Sequence, residues 1–387
     1  MTPAATSIPA PILAPRETPA APERLLSLDV FRGLTVAAML LVNNPGSWSH
    51  VYDPLEHAPW HGWTPTDLIF PFFLFIVGVS MAYSLLPRLE RGGRPGPLFA
   101  RAAKRAAILV LLGLVLASFP WYDLDPARLR LPGVLQRIGL AFLLASAVVL
   151  FTRPRAQGAV AAALLLGYWG AMRLVPVPGF GAGDLSKEGN LAAYVDRAVL
   201  GTNHLWAAAK TWDPEGLLST LPAVATVLLG VFAGRWLRAA RPASERLVGM
   251  FLAGNGALVI GLAWDAAFPI NKNLWTSSYV LFTAGMALHV LAVCYWLVDV
   301  RGWHRWAMPF AWFGMNAIAA FFLSGMMARV MNLVKVDGKP VKAVIYERAF
   351  DSWLPATDAS LIFALCFVAF WTAVMWALHR RRIYIKV

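Results

Sequence analysis

The sequence predicts an all-α polytopic membrane protein of about ten transmembrane helices, with both termini cytoplasmic. Three observations lead there. The 387 residues are 58% hydrophobic and 14% charged, with a mean hydropathy of +0.58, whereas soluble domains carry roughly a quarter charged residues. Apolar runs recur at close to the ~20 residues a helix needs to cross a hydrocarbon layer about 30 Å thick. Basic residues cluster in alternate connections, and that asymmetry orients such a chain.

Met1 to Glu23 is rich in Pro and Ala and has no apolar h-region. It does not resemble a cleavable signal peptide and reads as a disordered cytoplasmic tail over 1–23, ahead of a membrane domain over 24–387. The runs that follow are Leu28 to Asn44, Thr64 to Leu86, Ala106 to Phe119, Pro132 to Phe151 and Ala159 to Leu174. Gly216 to Trp236, Leu247 to Asp265, Trp275 to Val298, Met308 to Val330 and Asp358 to His379 complete the set.

One set of alternate connections holds Arg88, Arg91, Arg94, Arg101, Lys104 and Arg105, then Arg153 and Arg155, then Arg235, Arg238, Arg241 and Arg246. It continues with Arg301 and Arg305 and ends on Arg380, Arg381, Arg382 and Lys386. The opposite set has about half as many basic residues, and its first loop, Pro45 to Trp63, has none. The richer side is therefore cytoplasmic and the number of spans even. The net charge of +13 is then loop charge that sets orientation, not a nucleic-acid footprint. Cys294 and Cys366 lie inside apolar runs, so neither a disulfide frame nor a metal site is expected.

Polar residues inside such runs cost ~2.5–3.5 kcal/mol each when ionisable, so each asks for a partner or a task. Asp29 and Arg32 are three apart on one face near the start of the first run. They suit either a cap with an ion pair or, through the planar guanidinium, a ligand for phosphate. Asn43 and Asn44 end that run before a loop with His50, His57 and His61. Imidazole titrates near neutrality and is the usual general base of acyl transfer, although loop histidines are more often structural. Trp60 sits in the same loop. Thr64-Pro65-Thr66-Asp67 is a capping-box sequence, and Asp67 either satisfies backbone N–H groups there or partners His57. Gln136 and Arg137 stand at the outer entrance of the fourth run, Asp213-Pro214-Glu215 caps the sixth, and Asn271, Lys272, Trp275 and Ser278 crowd the entry to the eighth. Asn316 is an isolated amide in the ninth. The long outer connections Val175 to Glu215 and Met331 to Thr357 suit lids or acceptor-facing loops. Inverted halves with broken helices, the mark of many secondary transporters, are not evident.

Several segments carry a resemblance that composition could not supply: SLDVFRG from Ser27, LVNNPGS from Leu41, HAPWHGWTPTDLIFPFFLFIVG from His57, GVLQRIG from Gly133, DPEGLLSTLPA from Asp213, NKNLWTSSY from Asn271 and GMN from Gly314. In this order they extend over nearly all of Arg24 to Val387, and the chain resembles the bacterial branch of the heparan-α-glucosaminide N-acetyltransferase family, within the transmembrane acyltransferase superfamily. The resemblance implies acetyl-CoA as cytoplasmic co-substrate and an amino sugar acetylated from the opposite side. It puts the active histidine on His57 and the active asparagine on Asn43. Related acyltransferases of surface glycans end their first span in a histidine, where Asn43 stands here, which favours the glucosaminide-type branch. Lysosomal members carry a large lumenal region ahead of the membrane part. A short tail stands here, so a free or murein-derived amino sugar is the expected acceptor.

The expected activity is thus a multi-pass N-acetyltransferase of a bacterial inner (plasma) membrane, acting on a glucosamine-type amine. His57 and Asn43 are catalytic, with Asp67 and Trp60 in support. Arg32, Asp29 and Asn316 meet the donor, and Gln136, Arg137, Glu215, Asn271, Lys272, Trp275 and Ser278 bind or gate the acceptor. Expected partners are acetyl-CoA, an amino sugar or glycan fragment and the lipid bilayer; no metal or nucleic acid is expected, and a homodimer is compatible with the sequence. The competing readings are a membrane O-acyltransferase of glycan hydroxyls and a sugar permease or scaffold without catalysis.

Overall fold

A computed structural model describes residues 25–385. The tail expected at 1–23 and Lys386 lie outside the described residues. The helices are α1 (Leu26–Asn43), α2 (Ile69–Ser84), α3 (Leu86–Glu90), α4 (Pro95–Ala117), α5 (Val134–Phe151), α6 (Pro154–Leu174) and α7 (Leu191–Leu200). There follow α8 (Thr220–Arg238), α9 (Ala243–Asp265), α10 (Ser277–Cys294), α11 (Met308–Met315), α12 (Ala317–Leu333), α13 (Val341–Tyr346) and α14 (Ala356–Arg380). Two-residue strands pair into small hairpins in the two long connections, Pro176–Val177 with Gly181–Ala182 and Lys335–Val336 with Lys339–Pro340.

Every expected apolar run falls on helix, and the chain is a polytopic all-α membrane protein. Among the described residues seven segments are long and apolar enough to cross a bilayer, or eight when the bent pair Arg305–Met315 and Ala317–Leu333 is taken as one. The structure departs from the sequence reading at three elements. The ninth run is not one straight span but breaks at Asn316 with a 75° bend. The third begins eleven residues early, because the Pro95 ring suits a first helical turn and Arg101, Lys104 and Arg105 continue as helix instead of loop. Asp213 and Pro214 do not cap the sixth span, since α8 starts only at Thr220.

Without a hydrophobic drive between helices in lipid, close packing depends on small residues that let backbones meet. Gly78 of α2 and Gly230 of α8 provide one such meeting, where a Cβ on Gly78 would lie 1.9 Å from the Val227 carbonyl oxygen and one on Gly230 2.0 Å from that of Phe75. Gly33 of α1 meets α11 in the same way, 1.7 Å from the Phe310 oxygen. These contacts tie α2 to α8 and α1 to α11, the pairs that frame the interior. Gly78→Ala is expected to lower the thermal unfolding midpoint in detergent, with a cost of about 1–3 kcal/mol from overpacking. Gly170→Ala on α6, where an added Cβ meets nothing within 4 Å, should leave it near wild type, and equal midpoints for the two variants would contradict the packing.

Candidate active site

The site begins with the turn that opens α2. Thr64 caps a short 3₁₀ segment, Pro65–Leu68, with Pro65 pre-set for its first position, and the expected capping box is formed. Asp67 takes both of the roles expected of it. Its Oδ2 accepts from the backbone N–H of Thr64 and of Ala58, each at 3.0 Å. Its Oδ1 lies 2.7 Å from Nδ1 of His57. Asp67 is 1% exposed, so a buried carboxylate that is itself fixed by backbone donors orients a half-exposed imidazole. Donation from Nδ1 to Asp67 leaves the Nε2 lone pair for chemistry.

His57 lies on the wall of a cavity of about 490 Å³ that Asn43, Thr35 and Met39 of α1 also line. Asn43, at the last turn of α1, is exposed to that space, whereas its neighbour Asn44 is buried and donates to the Leu40 carbonyl at 2.8 Å. The loop before α10 contributes Lys272, with Nζ 3.0 Å from Nε2 of His57 and 3.3 Å from Nδ1. Near-equal distances place the ammonium across the ring instead of in line with one lone pair. Burial holds Lys272 below the usual lysine range, with the Glu215 and Asp67 carboxylates acting against it.

Glu215 completes the polar rim. Arg130 Nη2 donates to Glu215 at 2.6 Å and to Asp213 Oδ1 at 2.7 Å, while its Nε donates to Asp213 Oδ2 at 2.9 Å. Asp213 is thus held by a bidentate arginine, which explains why it is unavailable as a helix cap. Trp206 and Trp212 line the same cavity, their rings 5.6 Å apart edge to face. Trp60 stands behind them, donating to the Leu185 carbonyl at 2.8 Å and packing against Trp212 at 5.0 Å.

A second cavity, of about 380 Å³, lies toward the other end of α1 and includes Asp29, Arg32, Ser80 and Arg105. Arg32 donates to Asp29 and to the Gly314 carbonyl, both at 3.0 Å, and to Ser80 Oγ at 2.7 Å. The expected ion pair is present; the expected side-chain cap is not, since Leu25 precedes the helix without one. Arg105 reaches the cavity with its guanidinium 5.2 Å from the Phe142 ring and, among the described residues, without a side-chain hydrogen bond. Phe73, Ile138 and Ile318 border both cavities. They form an apolar waist between the two.

Of the other residues picked out from sequence, Lys272 and Glu215 join His57 at the cavity. Asn271, Trp275 and Ser278 instead build the turn that presents Lys272: Asn271 Oδ1 accepts from Leu274 N at 2.8 Å, Trp275 Nε1 donates to Thr226 at 3.1 Å, and Ser278 Oγ donates to the Phe268 carbonyl. Trp275 does so at a φ of +53°. Gln136 and Arg137 lie off the cavity wall, because the face of α5 that meets it carries Val134, Leu135 and Ile138. Gln136 packs against Gly113 and Gly133. Arg137 is buried on the Gly216 carbonyl, the Ser219 hydroxyl and the Trp275 ring and, among the described residues, has no carboxylate contact. Asn316 binds the chain's own end, donating to Ile383 O at 3.2 Å and accepting from Ile385 N at 2.8 Å. Sequence reasoning passed over Arg130, Arg105, the tryptophan pair and the waist. Arginine and tryptophan near helix ends are ordinary in membrane proteins, and only the fold brings these to a cavity.

Asp196 of α7 supports the loop that carries Glu215. Its Oδ1 accepts from Leu217 N at 2.8 Å. Burial pushes its carboxyl up to about 7, against the pull of the Leu217 N–H, with Asp213 adding to the rise and Arg137 and Arg197 opposing it. The folded state therefore keeps a proton that the unfolded chain releases near 3.8, so this group's contribution to stability falls as pH rises from about 4 to about 7. Asp196→Asn is expected to raise the thermal midpoint relative to wild type at pH 8 by more than at pH 5. A gain that shrinks with rising pH would contradict this.

The fold and the site define a polytopic membrane protein that holds a carboxylate-oriented histidine at a ligand-sized cavity inside the helical bundle. Sequence comparison makes that class a membrane-embedded acyltransferase-like one. The family described as "Heparan-alpha-glucosaminide N-acetyltransferase, catalytic" matches residues 24–264, and the chain belongs to that family. Two similar proteins are the heparan-alpha-glucosaminide N-acetyltransferases of Homo sapiens, 33% identical over 78% of this chain and 53% of the human protein, and of Mus musculus, 29% identical over 94% of this chain and 60% of the mouse protein. The chain spans just over half the length of these relatives. The matched stretch includes Asn43, His57, Asp67 and the waist residues Phe73 and Ile138, and ends before Lys272.

Proposed function

We propose that the protein transfers acetyl from cytoplasmic acetyl-CoA to the amine of a glucosamine-type sugar on the opposite, periplasmic face of a bacterial inner membrane, through ten spans with both termini cytoplasmic. The observation that carries this reading is the pair of cavities on one helix, one with Arg32 and Arg105, the other with Asn43 and His57, meeting at Phe73, Ile138 and Ile318. Arg32 and Asn43 are eleven residues apart on α1, about 16 Å along the axis. A donor with phosphates at one end and a thioester at the other suits that separation.

In this mechanism Arg105 meets donor phosphate directly, and Arg32, already tied to Asp29, Gly314 and Ser80, adds positive charge beside it. The thioester is an activated acyl group, so alignment with the amine and removal of one proton are what the enzyme supplies. His57 Nε2 takes the amine proton, Asp67 fixes the tautomer and stabilises the imidazolium, and Asn43 donates to the carbonyl oxygen. Trp206, Trp212 and Glu215 offer an apolar face and a carboxylate to a sugar that carries an ammonium.

The test uses sealed proteoliposomes of known orientation, labelled acetyl-CoA on the side of the termini and glucosamine on the other. Acetylglucosamine on the glucosamine side is expected. Donor use only from the side that carries Pro45 to Trp63 would overturn the orientation. Acetylation of glucose as readily as glucosamine would favour a hydroxyl acyltransferase, and sugar movement without acetylated product a permease.

A further inference from the structure

Lys272 is the one amine in contact with His57 among the described residues. Its Nζ, 3.0 Å from Nε2 and across the ring, needs only a turn of the flexible lysine stem to come into line with the lone pair to which an acceptor amine gives its proton. We propose that Lys272 is a self-acetylation site: with donor bound and no acceptor, the enzyme moves acetyl to Nζ of Lys272 and thereby silences itself. The inference rests on the transferase reading above and adds a second acceptor within the same cavity.

The ordinary obstacle to lysine as a nucleophile is its proton. Here burial favours the neutral amine, although Glu215 and Asp67 oppose the shift. Once the ammonium has lost a proton to solvent, Nζ attacks the thioester carbonyl carbon, the C–N bond forms and the C–S bond breaks. His57 Nε2 accepts the second amine proton and passes it to the departing thiolate, which leaves as free thiol. The products are acetyl-lysine and thiol, with one proton released to solvent. Should the acyl group pass first to His57, the same lysine is its neighbour at 3.0 Å, and the product is unchanged.

The consequence is a control on futile use of donor. Acetyl-Lys272 has lost its charge and lays an amide across the His57 ring, so the base is covered. A sugar amine in the cavity competes for the same acetyl group and keeps Lys272 unmodified. Lys187 provides an internal comparison, since it lines the same cavity but lies over the Trp60 ring, 5.7 Å from its centroid, not on His57.

The experiment incubates the full-length purified protein with isotopically labelled acetyl-CoA, with and without glucosamine, and reads label at each lysine by peptide mass spectrometry while acetylglucosamine is measured in the same tubes. Label on Lys272 well above Lys187 and the exposed Lys335 and Lys339 is expected, suppressed by glucosamine and about a hundredfold slower in His57→Ala, the lower end of what a positioned base contributes. Preincubation with donor alone should reduce the transfer rate of wild type relative to its own starting value, and should not reduce that of Lys272→Arg. Acetylglucosamine formed without label on Lys272, or label on Lys187 equal to that on Lys272, overturns the self-acetylation while the transferase reading stands. No acetylglucosamine and no label on Lys272 overturns both.

Discussion

Replacing His57 by alanine is expected to lower kcat/KM for acetyl transfer by about 10²–10⁴-fold, the range that a positioned general base contributes. The expectation rests on how much of the surroundings serves this one ring. Asp67 is buried and its second oxygen is occupied by two backbone N–H groups, so Oδ1 has a fixed direction and the imidazole it holds has a fixed tautomer. Because the substitution leaves Arg32, Arg105 and the inner cavity untouched, the KM for acetyl-CoA should stay near wild type while kcat falls. Asp67→Asn should also reduce kcat, and the double variant should be no slower than His57→Ala alone, because Asp67 acts through the imidazole. Steady-state rates for the three variants with glucosamine decide it. A His57→Ala enzyme of full activity would remove the histidine from the chemistry and return it to a structural place on the loop.

Much of this arrangement was legible in the sequence, and the parts that were not share a physical cause. The apolar runs were readable because a bilayer imposes one length on every span. Asp67 was readable as a cap because the capping box is local, a matter of four consecutive residues. Its second role depends on His57 folding back ten residues, and sequence could offer it only as one of two uses. At Gln136 and Arg137, polarity at a span entrance shows that a partner exists without showing on which face. The helix turns them toward α4 and the Gly216 loop, while the apolar Ile138 faces the cavity. The same holds for Asn316, whose amide closes on the backbone of the C-terminal segment. The break it occupies is not legible because a single amide inside an otherwise apolar run does not show that the helix bends there. Arg105 reads as loop charge in the sequence, and only the early start of α4 carries it onto a helix that borders the inner cavity.

A tryptophan at Ile318 is expected to cut transfer from acetyl-CoA to less than about a hundredth, a loss of the size that small misplacement near a reacting centre already causes. Ile318 is the second residue of α12, just past the 75° break, and borders both cavities with Phe73 and Ile138. The waist therefore draws one wall from each of α2, α5 and α12. An indole there fills the space through which an extended donor arm must pass, while Ile318 takes no part in the hydrogen bonds that hold His57 and Asp67. A truncated thioester without phosphates, supplied on the His57 side, bypasses the waist. Ile318→Trp should thus lose activity with acetyl-CoA and keep most of it with the truncated donor, whereas His57→Ala should lose both. Phe73→Ala, which widens the same point, should admit longer acyl chains that wild type uses poorly. Retained activity with both donors in a folded Ile318→Trp protein would mean that the two cavities are not one path, and the donor would then have to reach His57 from its own side of the membrane.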